Sequence, residues 1–377
     1  MGSISPFINL FYVSNHLSGT EIGVLGTISA LVGLISAPIW GRWNDTLRRP
    51  RLILQITLGA NALAYYLLSQ QTAFLNMAII IGFNALMTSC VNPQSQAQAL
   101  AAAGEASAGY GSVRLWGSMG YAIVATSSGW LIQRTNLISA FYVFGGLTLL
   151  AILVLFLIHT PVSRPVGQIE GLKQPTIPMR EVIREMFKNR ELIAFLLALV
   201  VMWTASNGTS FESVYLQRLG AKSSLIGWIN TIGAGCEIPM MIVADRVRRR
   251  KGSITTLLVG FLSYSLATLM IVIHPSVASF IVYRIINGAS MGLYSVSFTY
   301  FIVERSPAQQ TATMLALYSV TIAGIVSIIM SPVSGRIFDL VGPYWLYVAA
   351  LAGYLTAAAI IYFMVARKSK HRSTFEG

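Results

Sequence analysis

Three ionisable side chains stand inside apolar stretches of this 377-residue chain: Arg114, Glu237 and Arg284. An ionised group at lipid depth costs several kcal/mol, so such residues face a water-filled cavity, pair with one another or do chemistry. Glu237 lies seven residues from the end of its apolar run. A carboxyl there is neutral when alone and ionised beside an arginine, so an arriving solute can change its protonation, and Glu237 is the candidate proton carrier. A fixed pair with Arg114 is the competing reading. Arg284 is some eight residues into its run, about 12 Å deep at 1.5 Å per residue, too deep to reach headgroups. Arg114 is about one turn in and could snorkel outward. Glu212, four residues from the end of its run, reads as an interface residue.

Polar residues recur at helical spacing beside these charges. Asn84, Thr88, Asn92 and Gln96 follow one another at i+4 and share one helix face. Pro93 within that run would free a carbonyl, which is tolerated only where protein or water can satisfy it. Arg284, Asn287, Met291, Tyr294 and Phe298 make a second stripe, Trp203, Asn207 and Phe211 a third, and Asn9 with Tyr12 a fourth. Polar residues also glue helices together, but four stripes in corresponding spans point to a shared cavity. Aromatic faces (Trp203, Tyr121, Tyr294), amides and two arginines suit a small polar ring compound or an organic anion.

The elements that must position these groups are membrane helices. Apolar side chains make up 55% of the chain and charged ones 10%, against about 25% charged in a soluble domain. Between Arg51 and Glu105 there are 53 residues without a charge, and further uncharged windows cover 135–163, 252–283, 306–335 and 340–366. A spanning helix needs only about 20. Breakers divide the chain into spans near 4–17, 22–41, 52–70, 74–98, 110–132, 137–158, 192–216, 224–244, 254–273, 276–303, 312–333 and 344–366. Twenty of the 26 Lys and Arg fall in loops and tails on one side and four on the other, which places both termini in the cytoplasm. Three regions follow: a bundle over 1–158, a linker over 159–191 whose Met179–Arg190 stretch reads as a basic amphipathic helix on the cytoplasmic surface, and a second bundle over 192–377.

The two bundles read as a repeat. At an offset of 204, Phe7, Phe11, Ile22, Gly23, Thr27 and Ile28 meet Phe211, Tyr215, Ile226, Gly227, Thr231 and Ile232. Span seven starts near 192, so its counterpart would begin about 12 residues before Met1. The first helix is therefore expected to be truncated at its cytoplasmic half.

The loop Gly41-Arg-Trp-Asn-Asp45-Thr-Leu-Arg48-Arg49 and its partner Asp245-Arg-Val-Arg-Arg-Arg-Lys251-Gly resemble the motif that major facilitator superfamily transporters carry between helices two and three and, more weakly, eight and nine. The resemblance implies that Gly41 lets two helices approach and that Asp45 and Asp245 pair with nearby arginines such as Arg49. Arg48 replaces the usual second glycine. Tyr110-Gly111-Ser-Val-Arg114-Leu-Trp116-Gly117-Ser-Met-Gly120-Tyr121, with Glu237-Ile238-Pro239, is similar to the lactose-permease, nucleoside-symporter and phenylpropionate-permease branch. That branch implies solute binding by Arg114 and stacking on Tyr121. It also departs: the His and Glu of span ten that help move the proton in the lactose permease correspond to Asn287 and Ser290, and the acid of span four to Gln96. The implied fold is an all-α major facilitator fold of two six-helix bundles.

The expected function is secondary active transport of a small polar organic solute (a sugar, nucleoside or aromatic acid), coupled to protons, by alternating access. An efflux antiporter of the same fold and a transport-inactive receptor are the alternatives. The expected solute-binding residues are Arg114, Tyr121, Asn92, Gln96, Asn207, Arg284, Asn287 and Tyr294, with Glu237 as the coupling acid. The four His lie at span ends or in tails, no phosphate-binding Gly-Lys-Ser/Thr loop is present, and Cys90 and Cys236 give neither a disulfide framework nor metal spacing. No enzyme, cofactor or metal is expected, and no cleavable signal peptide. The net charge of +13 sits mainly in short loop clusters, without a nucleic-acid-binding motif. The expected partners are the solute, protons and the lipid of the cell membrane, and the chain is expected to be a monomer.

Overall fold

The computed structural model describes residues 1–47, 50–105, 110–157, 179–307 and 310–373. Within them the side chains of 41–42, 44–47, 50, 90, 92–94, 96–105, 110–115, 179, 312 and 365–373 fall outside the description. The described chain is almost wholly helical. In the first part the helices are α1 (Ile8–Ser14), α2 (Gly19–Leu47), α3 (Pro50–Ser69), α4 (Phe74–Glu105), α5 (Tyr110–Arg134) and α6 (Ser139–Leu157). A short α7 (Met179–Lys188) precedes α8 (Arg190–Gly208), α9 (Glu212–Arg218), α10 (Ser223–Lys251), α11 (Ser253–Ile273), α12 (Val277–Arg305), α13 (Thr311–Ala316), α14 (Ile322–Val341) and α15 (Pro343–Ser373).

Among the described residues, eight segments are long and apolar enough to cross a membrane: Gly19–Trp40, Arg51–Ser69, Ser139–Leu157, Arg190–Arg218, Ser223–Lys251, Ser253–Ile273, Thr313–Val341 and Pro343–Met364. Their outward faces carry large apolar side chains, such as Leu52, Ile56 and Leu63 on α3 and Ile325, Ile329 and Val333 on α14. Only lipid makes such faces stable. The span expected over 4–17 forms a helix of seven residues, α1.

Two spans are broken. A 3₁₀ turn over Thr209–Phe211 separates α8 from α9, and a π-helical segment over Leu317–Thr321 separates α13 from α14. Elsewhere the boundaries follow local chemistry. The linker helix was expected to reach Arg190 but ends at Lys188, because the Asn189 side chain accepts from the Glu191 N–H and starts α8 instead. Single glycines, Gly252 (φ 84°) and Gly342 (φ 88°), join α10 to α11 and α14 to α15. Only a residue without a Cβ turns the chain so tightly at low cost.

The chain forms two units. Unit 1 comprises Met1–Lys173 with the short pieces Lys222–Thr231 and Ser331–Arg336; unit 2 comprises Gln174–Ala221, Ile232–Met330 and Ile337–Gly377. In unit 1, α4 packs on α2 and α3, and α6 on α3. Rings fill the core, with Phe11 against Phe141 at 4.7 Å and Tyr65 against Phe144 at 4.8 Å. Both added pieces are seated by glycines: a Cβ on Gly23 would strike the Ser331 carbonyl, and one on Gly227 the Ala125 carbonyl. These are two glycines that the offset of 204 in the sequence pairs.

In unit 2, α11 packs on α12 and α15, and α15 also on α8. The core between them holds Phe195, Phe261, Phe301, Tyr318 and Tyr354. α10 and α12 meet backbone to backbone at Gly233 and Gly288, where a Cβ on Gly288 would overlap the Gly233 carbonyl. This packing predicts that Gly288→Val forces the helices apart at a cost of about 1–3 kcal/mol. Gly146→Val on α6, where nothing lies within 4 Å, should be neutral. Thermal denaturation of the two purified variants checks this, and equal midpoints would contradict it.

Candidate functional site

Arg284 comes eighth in α12 and Glu212 seventh from the end of α9, each about 10 Å along its helix at 1.5 Å per residue. There they meet: Arg284 Nε donates to Glu212 Oε1 at 2.6 Å. The glutamate side chain is 8% exposed and the arginine 25%. The sequence assigned Glu212 to an interface. The structure buries it, because Arg284 at this depth requires a counter-ion and Glu212 is an acid at the same level.

An aromatic wall closes around the pair. Tyr215, Phe280, Tyr283 and Tyr347 form a continuous cluster, with ring centroids 5.4 Å apart for Tyr215–Phe280 and 5.5 Å for Phe280–Tyr347. The ion pair lies within electrostatic reach of the Tyr283 and Tyr347 hydroxyls. Tyr283 accepts from Asn287 Nδ2 at 3.4 Å, and Tyr354 bonds Ser206 at 3.2 Å. The Tyr347 hydroxyl is buried and has no hydrogen-bond partner.

Glu237 is half-buried on α10, one turn beyond Gly233, where α12 passes its carbonyl closely enough that Gly292 could not carry a Cβ without a shift. It lies within electrostatic reach of Tyr264, whose hydroxyl donates to Met291 Sδ at 3.2 Å and whose ring stacks on Tyr354 at 5.2 Å. Asn207 Nδ2 donates to the Trp203 carbonyl at 2.9 Å and to Ser327 Oγ at 3.4 Å. Tyr294 sits in the apolar core, between Phe261 and Phe298. Of the span-ten stripe, therefore, Arg284 forms the ion pair, Asn287 bonds a tyrosine beside it, and Tyr294 and Phe298 lie against one another further along the helix.

In unit 1, Tyr121 is half-buried on α5. Asn84 and Thr88, the first half of the span-four stripe, turn toward α3: Asn61 Nδ2 donates to Thr88 Oγ1, which donates to Asn84 Oδ1 at 3.2 Å. This half joins two helices. The side chains of Asn92, Gln96, Arg114, Gly41, Asp45 and Arg49 lie outside the described residues.

A second charge cluster of unit 2 stands where α8 begins and α12 ends. Asp245 accepts from Arg248 at 2.9 Å and from Arg249 at 2.8 Å. Arg305 pairs with Glu191 of α8 and with Glu304, and Ser253 Oγ donates to Glu304 at 2.6 Å. Arg248 and Arg305 also lie over the Tyr300 and Phe301 rings. Among the described residues no group of three or more His, Cys, Asp or Glu could hold a metal ion.

Spanning helices with outward apolar surfaces and an ion pair at lipid depth describe a multi-pass membrane protein, and its family makes it a transport protein, not an enzyme. The chain belongs to the MFS_1 like family, whose profile matches residues 1–349. It is 24% identical to the uncharacterized transporter YwbF of Bacillus subtilis (strain 168), covering 98% of this chain and 91% of that protein. It is 26% identical to the maltose permease of Geobacillus stearothermophilus (90% and 84% covered) and 23% to the probable 3-phenylpropionic acid transporter of Escherichia coli (strain K12; 93% and 90% covered). The crystal structure of the nucleoside transporter NupG (D323A mutant) shares the fold, with a TM-score of 0.82 at 14% identity over 96% of this chain and 95% of that one.

Breaking a buried pair strands a charge at a cost of about 3–5 kcal/mol, whereas removing both partners is often nearly neutral. Glu212→Gln should therefore lower the thermal midpoint more than the double change Glu212→Gln/Arg284→Gln. A double variant as unstable as the single would show that Arg284 does not depend on Glu212.

Proposed function

We propose that this protein is a proton-coupled secondary transporter of a small polar organic solute, working by alternating access. The observation that carries the reading is the Arg284–Glu212 pair, a charged and strongly polar centre held at lipid depth. The names of the relatives and of the structural neighbour, which cover a sugar, an aromatic acid and nucleosides, support the solute class. The proposed solute contacts are Arg114, Tyr121, Asn92, Gln96, Asn207, Arg284, Asn287 and Tyr294. Glu237 is the proposed proton carrier, supported by its half-buried place among the aromatic hydroxyls of unit 2. The proposed setting is the cell membrane with both termini cytoplasmic, as the asymmetry of Lys and Arg favours, and a monomer.

The test is reconstitution into liposomes under an inward proton gradient, with labelled maltose, uridine and 3-phenylpropionate. Accumulation of one of them, abolished by a protonophore, is expected; movement of none overturns the reading, and export in place of uptake makes the protein an antiporter. With the accumulated solute, Glu237→Gln should abolish gradient-driven accumulation yet keep exchange between labelled and unlabelled pools. Accumulation that survives this change would assign the proton to another acid.

A further inference from the structure

Helix α7 carries more apolar surface than its packing covers. Val182 and Met186, four residues apart, are buried in the core of unit 2. Ile183 and Phe187 repeat that spacing one position on, yet they are 38% and 58% exposed. At about 100° per residue they stand roughly a quarter of a turn around the helix from the buried pair. The apolar arc is therefore wide, and only its first half is covered.

The charges of α7 are sorted around the same axis. Arg180 and Arg184 are exposed and one turn apart, on the far flank of Ile183 and Phe187. Glu181 and Glu185 fall on the remaining side, where Glu185 accepts from Lys188 at 2.5 Å. In order around the helix come a covered apolar strip, an open apolar strip, two arginines and an acidic strip. Position then decides what covers the open strip. α7 packs on α8, and the spanning segment Arg190–Arg218 starts two residues after α7 ends. The helix stands at the end of a span, at headgroup level, where an apolar strip flanked by basic residues meets acyl chains and lipid phosphates together. The guanidinium fork matches a phosphate, and a zwitterionic headgroup weakens that contact with its own cation.

We propose that α7 is a docking site for anionic phospholipids of the leaflet beside it. Ile183 and Phe187 enter the acyl boundary, and Arg180 and Arg184 hold the phosphates of the headgroups. Val182 and Met186 tie the helix to the core of unit 2, so the lipid fastens to a packed bundle and not to a loose linker. This inference does not depend on which solute the protein moves.

The test is lipid retention by the purified full chain, read by native mass spectrometry after exchange into equal amounts of phosphatidylglycerol and phosphatidylcholine. Phosphatidylglycerol should be retained in preference. Arg180→Gln/Arg184→Gln should weaken that retention at least tenfold, since each basic side chain at an anionic surface strengthens association about fivefold. Arg180→Lys/Arg184→Lys, which keeps the charge, should preserve most of it, and Phe187→Ser should weaken it several-fold. Arg134→Gln/Arg218→Gln, the same loss of charge outside α7, should leave it unchanged. In nanodiscs of the same lipids, a spin label on Phe187→Cys, in a chain whose own cysteines are replaced by Ser, should meet oxygen more than a water-soluble nickel complex. A label on Glu181→Cys should show the reverse. Equal retention of the two lipids, retention indifferent to the arginines, or a Phe187 label open to the nickel complex overturns the inference. Displacement of the lipid by glycerol phosphate alone would mark a simple anion site and overturn it as well.

Discussion

A charge taken out of water must bring its counter-charge with it, and in unit 2 this constraint fixes where the helices can be. Arg284 is too deep in α12 to reach headgroups, so α9 has to deliver Glu212 to the same level. The surrounding architecture serves that meeting. Gly233 and Gly288 bring α10 and α12 into backbone contact, which seats α10 directly against the aliphatic stem of Arg284. The rings of Tyr215, Phe280, Tyr283 and Tyr347 pack into one cluster beside the pair. The lower local dielectric strengthens the attraction and raises the cost of losing either partner in the same proportion. Such a pair is poor as a source of stability and good as a sensor, because its energy depends on what else approaches it.

Unit 2 contains a second, different arrangement of charge. Asp245, Arg248, Arg249, Glu304, Arg305 and Glu191 tie the ends of α8, α10 and α12 together, with Ser253 of α11. Most of these side chains are partly exposed, and Arg249 is 71% exposed. Each exposed contact is worth about 0–1 kcal/mol. The helix ends are thus held by several weak contacts, whereas the pair at lipid depth is short and its glutamate is almost wholly covered.

Much of this was legible in the sequence, for physical reasons that also mark its limits. Long uncharged windows show spanning helices because a bilayer tolerates little else. The repeat pair Gly23 and Gly227 emerged from spacing alone, and both glycines prove to seat a neighbouring backbone. Arg284 was legible because its depth alone demands an explanation. Glu212 was not, because its distance from the end of the run says nothing about which face it takes. The 3₁₀ turn over Thr209–Phe211 advances about 120° per residue instead of 100°, so it re-aims the side chains that follow by roughly 60°. Tyr294 shares a stripe with Arg284, and α12 is long enough for one face to pass from the ion pair to the rings of Phe261 and Phe298. Asn84 and Thr88 show the same ambiguity, since a polar stripe serves a cavity and a helix contact equally well until the neighbour is known.

The tyrosines set these surroundings apart from a purely apolar wall. Rings of Phe and Leu alone would offer the Glu212 carboxylate no hydroxyl dipoles at all. The hydroxyls of Tyr283, Tyr347 and Tyr354 lie instead within electrostatic reach of that carboxylate. Two of them are held by neighbours, since Tyr283 accepts from Asn287 and Tyr354 bonds Ser206. The 3₁₀ turn just before Glu212 is tied to the same helix end, because the Thr209 hydroxyl donates to the Ser206 carbonyl. The break in the helix and the hydroxyl network therefore meet at one place, and together they fix where Glu212 stands.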